Sequence, residues 1–503
     1  MGLQQVHTTL DPLDHIPPKN YVKFAFYLPL TPTTDTTAAF DRLHEGLHRT
    51  FLQFPWLNGK AYNQSPDTPG WRPGQLEIRH SPLPLDGPRP YQLKLNIIDS
   101  PDYEEVRELG FPTSTFRDEE LLWAPFIPSV DEGAEVFVGQ ANFIPGGCIL
   151  CAAIFHPVSD GTATATLFKV WADNCKNVPS LTREESSRLD VLPPGSDDRK
   201  LLDALWAREG SGRAVNEIKD ETWRILGLDT PVTASNTLGG STGEAAKVPE
   251  LPSRKMNSSI FYVSPENFAR LRADCAQQQP GAPSNGHSGP ISGNDAICAL
   301  IWRSLLRARA GARAATEKRR GERDDDDDPL ACLEMTLDGR PDFSTALPPA
   351  YLGNVILINQ SYLPLARLTA RDTALAEVAR TIRDNGSRIR PESILDAYAL
   401  VRGIPDFGAL RLRFTAVEGD DMMITSLLKF PASLNFGDDV FGHGGLPEAI
   451  RPLMGGFETF FRIAFILPMK SHGGVEFVVS LYDDEMERLL QDEEFGSYAM
   501  FLS

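Results

Sequence analysis

Residues 148–155, Cys-Ile-Leu-Cys-Ala-Ala-Ile-Phe, form an unbroken apolar run that ends on His156. Eight residues are too few to cross a bilayer and enough for a strand buried on both faces. Four residues past the histidine comes Asp160, then Gly161. After the glycine the pattern turns helical, with Ala163, Leu167, Val170 and Trp171 at helix spacing. Such a unit sets a core strand, a turn and a helix in succession, with an imidazole at the strand's end. An imidazole held rigidly, with a pKa near neutrality, suits a general base. Asp160 can hold the turn through backbone amides or a cation. On spacing alone, a purely structural histidine stays open as the other reading.

The 503 residues give ample material for two or three domains, with 41% hydrophobic residues, 27 Phe and 7 Trp. Basic residues number 49 against 68 acidic ones, a net charge of −19, and no basic run carries interleaved aromatics, which argues against a nucleic-acid partner. Six cysteines without a dense framework suit a reducing compartment. The first residues lack a charged segment followed by an apolar one, so no signal peptide is expected, and no run reaches membrane-span length. The expectation is a cytoplasmic, monomeric protein without a membrane or nucleic-acid partner.

Two motifs compete for attention and are set aside. His44-Glu45-Gly46-Leu47-His48 fits HExxH, but the positions that would supply a third zinc ligand are Phe51 and Phe54, and Gly46 weakens the helix. No metal is expected. Cys148 and Cys151 spell CxxC, yet residues three apart on a strand face opposite sides and no second pair exists. Gly239 to Glu244 lacks the lysine of a phosphate loop.

Taken in order, a Pro-bounded turn, Leu10-Asp-Pro-Leu-Asp-His15, leads into a strand from Tyr21 to Leu28. Thr34 or Asp35 caps a helix with apolar Phe40, Leu43, Leu47 and Phe51. Residues 135–144 pair as a hairpin with the 148–155 strand. A charged helical piece from Asp197 to Leu228 gives way to a Gly/Ser/Thr-rich connection. The second half opens with a strand at Ser259–Val263 and a helix near Pro265–Cys275. Gln277 to Pro290 is low-complexity, and Ser292 caps a helix bearing Ile297, Leu300, Ile301 and Leu305. Arg313–Arg323 followed by Asp324–Asp328 reads as a solvated insertion.

The phrase His156-Pro157-Val158-Ser159-Asp160-Gly161 resembles the HxxxDG motif of the BAHD-type acyl-CoA-dependent acyltransferases. The nearest resemblance is to their fungal, trichothecene 3-O-acetyltransferase-like branch. Four further segments match the family in the same order. These are the Leu-Asp-Pro-Leu-Asp opening, the Ser292–Arg303 helix, Asp338-Gly-Arg340 with Pro348-Pro-Ala-Tyr-Leu-Gly-Asn354, and Thr425-Ser426 with Asn435-Phe436-Gly437. Two departures stand out: Leu427 replaces a Trp, and Asn435 replaces the Asp of a DFG-type motif. A rival alignment sets that motif at Asp439–Gly444. In plant members an Arg near the start of the Ser292 helix pairs with the motif's Asp; Gly293 stands there, so Asp160 lacks an assigned partner.

The resemblance implies an α/β protein of two chloramphenicol-acetyltransferase-like domains, each a mixed β-sheet flanked by helices, with the active-site channel between them. The expected division is 1–200, a crossover linker at 201–258, and 259–503. The implied reaction moves an acyl group, acetyl by analogy, from acyl-CoA as co-substrate to a hydroxyl or amine of a small specialised metabolite. His156 is implied as the base. Asp160, Gly161, Asn435, Phe436 and Gly437 are implied as structural at the site, and Thr425 and Ser426 as candidate oxyanion or CoA-side donors. No permanent cofactor is implied. A condensation-type enzyme using a carrier-protein thioester, and a binding protein or cyclase reusing the fold, stay open beside it.

Overall fold

The computed structural model describes residues 5–189, 191–210, 212–231, 254–277, 289–320, 328–413, 419–430 and 433–503. The Gly/Ser/Thr-rich connection, most of the 277–290 stretch and the Asp324–Asp327 run lie outside them. The first half runs β1 (Val6–Thr9), β2 (Tyr21–Pro29), α1 (Thr36–Gln53), β3 (Lys60–Asn63), β4 (Leu76–His80), β5 (Leu93–Ile97), β6 (Ala134–Glu135), β7 (Phe137–Ile144), β8 (Gly147–Phe155) and α2 (Gly161–Lys176). The second runs β9 (Asn257–Val263), α3 (Pro265–Ala276), α4 (Gly293–Arg320), β10 (Leu330–Asp338), β11 (Ile356–Pro364), α5 (Leu375–Gly386) and α6 (Pro391–Gly403). It continues with β12 (Met422–Ser426), β13 (Ala449–Pro452), β14 (Ile463–Ile466), β15 (Val475–Leu481) and β16 (Ala499–Phe501).

The apolar run of 148–155 is buried along its whole length because it has a strand on each side. Its neighbours are β2, with Tyr21 opposite Phe155, and β7, with Phe137 opposite Ile154. The hairpin joining β7 and β8 turns at Pro145-Gly146, where Gly146 has φ +84°, a conformation glycine adopts at little cost. These strands form a five-stranded sheet in the order β13-β2-β8-β7-β5, mixed because β5 runs parallel to β7. A four-stranded sheet, β1-β4-β3-β6, accompanies it. The second large sheet, β11-β10-β12-β14-β15-β9-β16, is also mixed, with β10, β12 and β14 parallel. The two large mixed sheets with their helices match the expected fold class.

Helices α1 and α2 pack against one another so closely that a Cβ on Gly46 would lie 2.3 Å from Cys175 Sγ and 2.8 Å from its backbone nitrogen. The glycine that weakens α1 as an isolated helix is what lets α2 approach it. Asp35 caps α1, accepting from the Ala38 amide at 2.7 Å. Leu43, Leu47 and Phe51 are buried as the periodicity predicts. The 197–228 piece is less helical than its composition suggests: among its described residues a helix covers Leu201–Glu209, and short 3-10 turns cover Val215–Glu217 and Asp220–Leu226.

Sequence order and sheet membership part company near the end of the chain. After β12 the chain leaves the second sheet, and Leu427, Leu434, Phe436 and Phe441 bury themselves in the core of the first. Strand β13 then becomes an edge of the first sheet, pairing antiparallel with β2 from Ala449 opposite Tyr27 to Pro452 opposite Phe24. Residues 259–503 therefore contribute to both sheets.

Candidate active site

Strand β8 delivers His156 into a single 3-10 turn, His156–Val158, whose second residue is Pro157. The His156 amide still donates to the Asn20 carbonyl at 3.0 Å, continuing the β2 ladder by one bond. The side chain is half-buried, while Pro157, Val158, Ser159 and Asp160 around it are buried. Its Nδ1 is enclosed and has no hydrogen-bond partner. Burial lowers the imidazole pKa below the usual 6.5, opposed in part by its own carbonyl and by the Asp160 charge. The ring is therefore neutral at physiological pH, the form a base needs.

Asp160 ends the turn and begins α2. Its Oδ1 accepts from the Ala163 amide at 3.0 Å, an N-cap, and its Oδ2 from the Val355 amide at 2.9 Å. Oδ1 also accepts from Arg340 Nη2 at 2.9 Å, and both side chains are almost fully buried. Arg340 is the partner that the sequence did not assign. Its remaining donors go to the Tyr351 carbonyl at 2.8–2.9 Å, the Gly353 carbonyl at 2.8 Å and Asp338 Oδ1 at 2.8 Å. Burial works against the guanidinium charge, but Asp160 and Asp338 outweigh it and hold the group above its ordinary pKa. The clue was the charged residue inside Asp338-Gly-Arg340. A buried carboxylate needs a cation, and this Arg is set between tight turns. Gly293, at the position expected for a partner, instead admits α3: a Cβ there would lie 2.7 Å from Phe268 Cζ.

A second brace reaches the turn from the other side. Asn354 Nδ2 donates to the carbonyls of His156 at 3.2 Å and Pro157 at 3.1 Å. The same amide group and the Asn354 backbone N–H donate to Asp14 Oδ1 at 3.0 and 2.9 Å. Asp14 is buried and also accepts from Arg199 Nη1 at 3.3 Å. Burial raises the pKa of Asp14, with Arg199 and Asn354 acting against it. The Leu-Asp-Pro-Leu-Asp opening, the Tyr-Leu-Gly-Asn segment and the histidine turn are thus three parts of one hydrogen-bonded assembly.

Gly161 has no left-handed φ; it is the first residue of α2, and its missing Cβ leaves room for Phe430, which would stand 3.3 Å away. The turn itself does not require glycine, so the close approach is the reason for it. Phe430 follows β12, so this contact brings the Thr425-Ser426 segment toward the histidine turn. The two hydroxyls diverge. Ser426 shares the face of Ile424, which packs with the helices, and its Oγ donates to Asn294 Oδ1 at 2.6 Å at the start of α4. Thr425 lies on the opposite, partly open face, beside Phe465.

Asn435, Phe436 and Gly437 shape a loop that latches the second half onto the first. The Gly437 amide donates to Asn435 Oδ1, and Asn435 Nδ2 to the Gly444 carbonyl, both at 2.9 Å. The Phe436 ring packs edge-on against Trp171, and Arg42 of α1 clamps Asp439 with two bonds of 2.6–2.7 Å. An aspartate in its place could accept the Gly437 amide but could not donate to the Gly444 carbonyl, so the asparagine closes the loop with one bond more.

The competing motifs are engaged elsewhere. His44 Nε2 bonds the Pro90 carbonyl at 2.6 Å and His48 Nε2 the Leu85 carbonyl at 3.3 Å, while Glu45 pairs with Arg49 and Arg183. Among the described residues no group of three or more His, Cys, Asp or Glu could hold a metal, and no helix is long and apolar enough to cross a membrane. All six cysteines are buried and unpaired.

With that geometry in hand, comparisons with known proteins are informative. The sequence is 29% identical over 507 residues to the isocyanide synthase-NRPS hybrid crmA of Aspergillus fumigatus, covering 98% of this chain but only 31% of that protein. It is 25% identical over 515 residues to the eremophilane O-acetyltransferase ORF8 of Penicillium roqueforti, covering 99% of each. Among solved structures, TRI101 of F. graminearum complexed with coenzyme A and T-2 mycotoxin superimposes with a TM-score of 0.73 at 20% identity, covering 99% of this chain and all of the other. A trichothecene 3-O-acetyltransferase-like N-terminal domain is matched at residues 20–175. The Transferase family profile is matched at residues 124–496, nearly three quarters of the chain and including both His156 and Arg340, so the chain belongs to the Transferase family.

Proposed function

We propose that this chain transfers an acyl group, acetyl in the first instance, from acyl-CoA to a hydroxyl of a small specialised metabolite, with His156 as general base. The observation that carries the reading is the braced turn. An uncharged imidazole at the end of a core strand is held by Asp160–Arg340 on one side and Asn354–Asp14 on the other. Relatives named as O-acetyltransferases, and a fold neighbour solved with coenzyme A and a small acceptor, support it.

In this reading the neutral His156 takes the proton of the acceptor hydroxyl as its oxygen attacks the thioester carbonyl. The carbonyl becomes a tetrahedral oxyanion, which needs a donor at the site. Thr425, on the open face, suits that role better than Ser426, whose hydroxyl is already engaged by Asn294. The intermediate then collapses, the C–S bond breaks, and the proton on His156 passes to the departing thiolate. The acceptor leaves as its ester and CoA as the free thiol. Asp160 and Arg340 are positioning residues. An amine acceptor would follow the same course.

Residues 1–200 and 259–503 are proposed as the two catalytic halves, with 201–258 as the crossover. Because the chain spans 31% of the hybrid synthase it resembles, a donor carried on a carrier-protein thioester is a second reading. Incubation with acetyl-CoA and a panel of polyketide, terpenoid and alkaloid alcohols, reading free thiol, separates the two. Turnover only with a loaded carrier favours the second. His156→Ala is expected to lose roughly 100- to 10,000-fold in kcat with an unchanged melting point. Near-full turnover by that variant on a proven substrate would refute the base assignment.

A further inference from the structure

The brace built on Asn354 and Asp14 holds polar atoms that its own hydrogen bonds do not use. Asn354 directs Nδ2 at Asp14 Oδ1 and at the carbonyls of His156 and Pro157, three acceptors at 3.0–3.2 Å. Its Oδ1 is enclosed and has no partner among the described residues. Arg199 reaches Asp14 Oδ2 through Nη1 at 3.3 Å and lays its guanidinium over the Trp56 ring, 5.1 Å from the centroid. Its Nη2 is enclosed and equally without a partner there. The hydroxyl of Tyr351 is the third such atom, on a fully buried residue.

These atoms surround one carboxylate. Asn354 and Arg199 bond the two oxygens of Asp14. A Cβ on Gly353, the residue before Asn354, would stand 2.8 Å from the Tyr351 hydroxyl, and the charges of Asp11, Asp14 and Arg199 all act on that hydroxyl. A buried donor or acceptor left unmade carries the full cost of its desolvation, so three in one place call for a common partner. Chemistry selects its kind. Arg199 Nη2 can only donate and Asn354 Oδ1 can only accept, so the partner must do both. A metal ion cannot accept from the guanidinium, and an anion has nothing to give the amide oxygen. Asp11 is not free to serve, since it already takes the Leu13 amide and the Tyr398 hydroxyl.

We infer that one ordered water molecule is a built-in member of this brace, accepting from Arg199 Nη2, donating to Asn354 Oδ1 and bonding the Tyr351 hydroxyl. About three hydrogen bonds are what a buried water ordinarily makes. The water fixes the Asn354 amide with its nitrogen toward the histidine turn. Turned end for end, the amide would set its oxygen against two carbonyls and the Asp14 carboxylate. Arg199 and Tyr351 are thereby positioning residues for His156, acting through the water and Asn354. That catalytic consequence rests on the acyl-transfer reading; the water site does not.

A crystal structure of the full chain, at a resolution that shows ordered solvent, is the direct test. It is expected to show one water within about 2.7–3.2 Å of all three atoms. No density there, or a Tyr351 hydroxyl bonded straight to Asp14 or Arg199, overturns the inference. Tyr351→Phe keeps the ring and removes only the hydroxyl. It is expected to melt lower than the wild type, by about 1 °C for a chain of this length, because a bonded hydroxyl is lost. An equal or higher melting temperature marks a hydroxyl that had no partner, and overturns it too. On an acceptor that turns over, Tyr351→Phe is expected to lower kcat by up to about 10-fold with the KM for acetyl-CoA unchanged. An unchanged kcat refutes the positioning role. If the water is seen but the wild type transfers nothing from acetyl-CoA, the acyl-transfer reading falls and the water site stands.

Discussion

Replacing Arg340 by Met removes five hydrogen bonds and the counter-charge of Asp160 while keeping most of the side-chain volume. Asp160 then stays buried as a carboxylate, though not bare, because the Ala163 and Val355 amides still donate to it. Removing one member of a buried pair costs about 3–5 kcal/mol, and the two surviving amides put this case near the lower end, about 3 kcal/mol. Asp160→Asn alone leaves the guanidinium with Asp338 and three carbonyl contacts, so its cost is smaller. The double variant leaves no unpaired buried charge, since Asp338, which also loses Arg340, is solvent-exposed, so it is expected to be more stable than the sum of the singles predicts, by about 1–2 kcal/mol. Urea unfolding of the four proteins, followed by tryptophan fluorescence, closes the cycle. The same proteins assayed for thiol release should show kcat falling with the single variants, since the histidine turn loses one of its two braces. Additive costs, within about 0.5 kcal/mol, would refute the coupling and with it the claim that Arg340 holds the turn through Asp160.

The pH profile follows from the sign of the His156 shift. The neutral, active form persists down to the lowered pKa, so the acid limb of kcat/KM is expected below pH 6.5, with activity lost as pH falls through it; a limb above 6.5 contradicts the burial argument. Asp160→Asn removes a charge that raises this pKa and should move the limb further to acid. Gly46→Ala forces its new Cβ against both the side chain and the backbone of Cys175, so α1 and α2 must part, at a cost of about 1–3 kcal/mol visible as a lower melting temperature. A melting point equal to wild type would mean that the helices yield without loss.

The legible parts of this protein were those where one local pattern fixes one local structure. The 148–155 run could only be a buried strand, and Asp35, Ser292 and the alternation around them set helix starts to within a residue or two. His156 and Asp160 were legible for the same reason, since a strand, a turn and a cap are contiguous in sequence. Arg340, Asn354 and Asp14 were not. Their positions are set by pairings 180, 198 and 340 residues apart, which no local periodicity encodes. The same holds for β13, whose four residues carry no signal that they belong to the first sheet.

What links these failures is charge and polarity in the wrong place for a local reading. Asp14, Asp160 and Arg340 are all buried, and each looks in sequence like a turn or surface residue. A buried ionic group is stable only with its partners, so each one implies a distant segment whose identity the chain does not print locally. The two braces also differ in kind, which explains why both are present. Asp160–Arg340 is an ion pair that fixes the start of α2, whereas Asn354 is a neutral amide that holds the carbonyls of His156 and Pro157 themselves. Placing the neutral brace next to the imidazole and the charged one a turn away leaves the base without a carboxylate partner, and its pKa stays low. Were the carboxylate hydrogen-bonded to the ring, the charged imidazolium would be favoured and the acid limb of the activity would lie at higher pH.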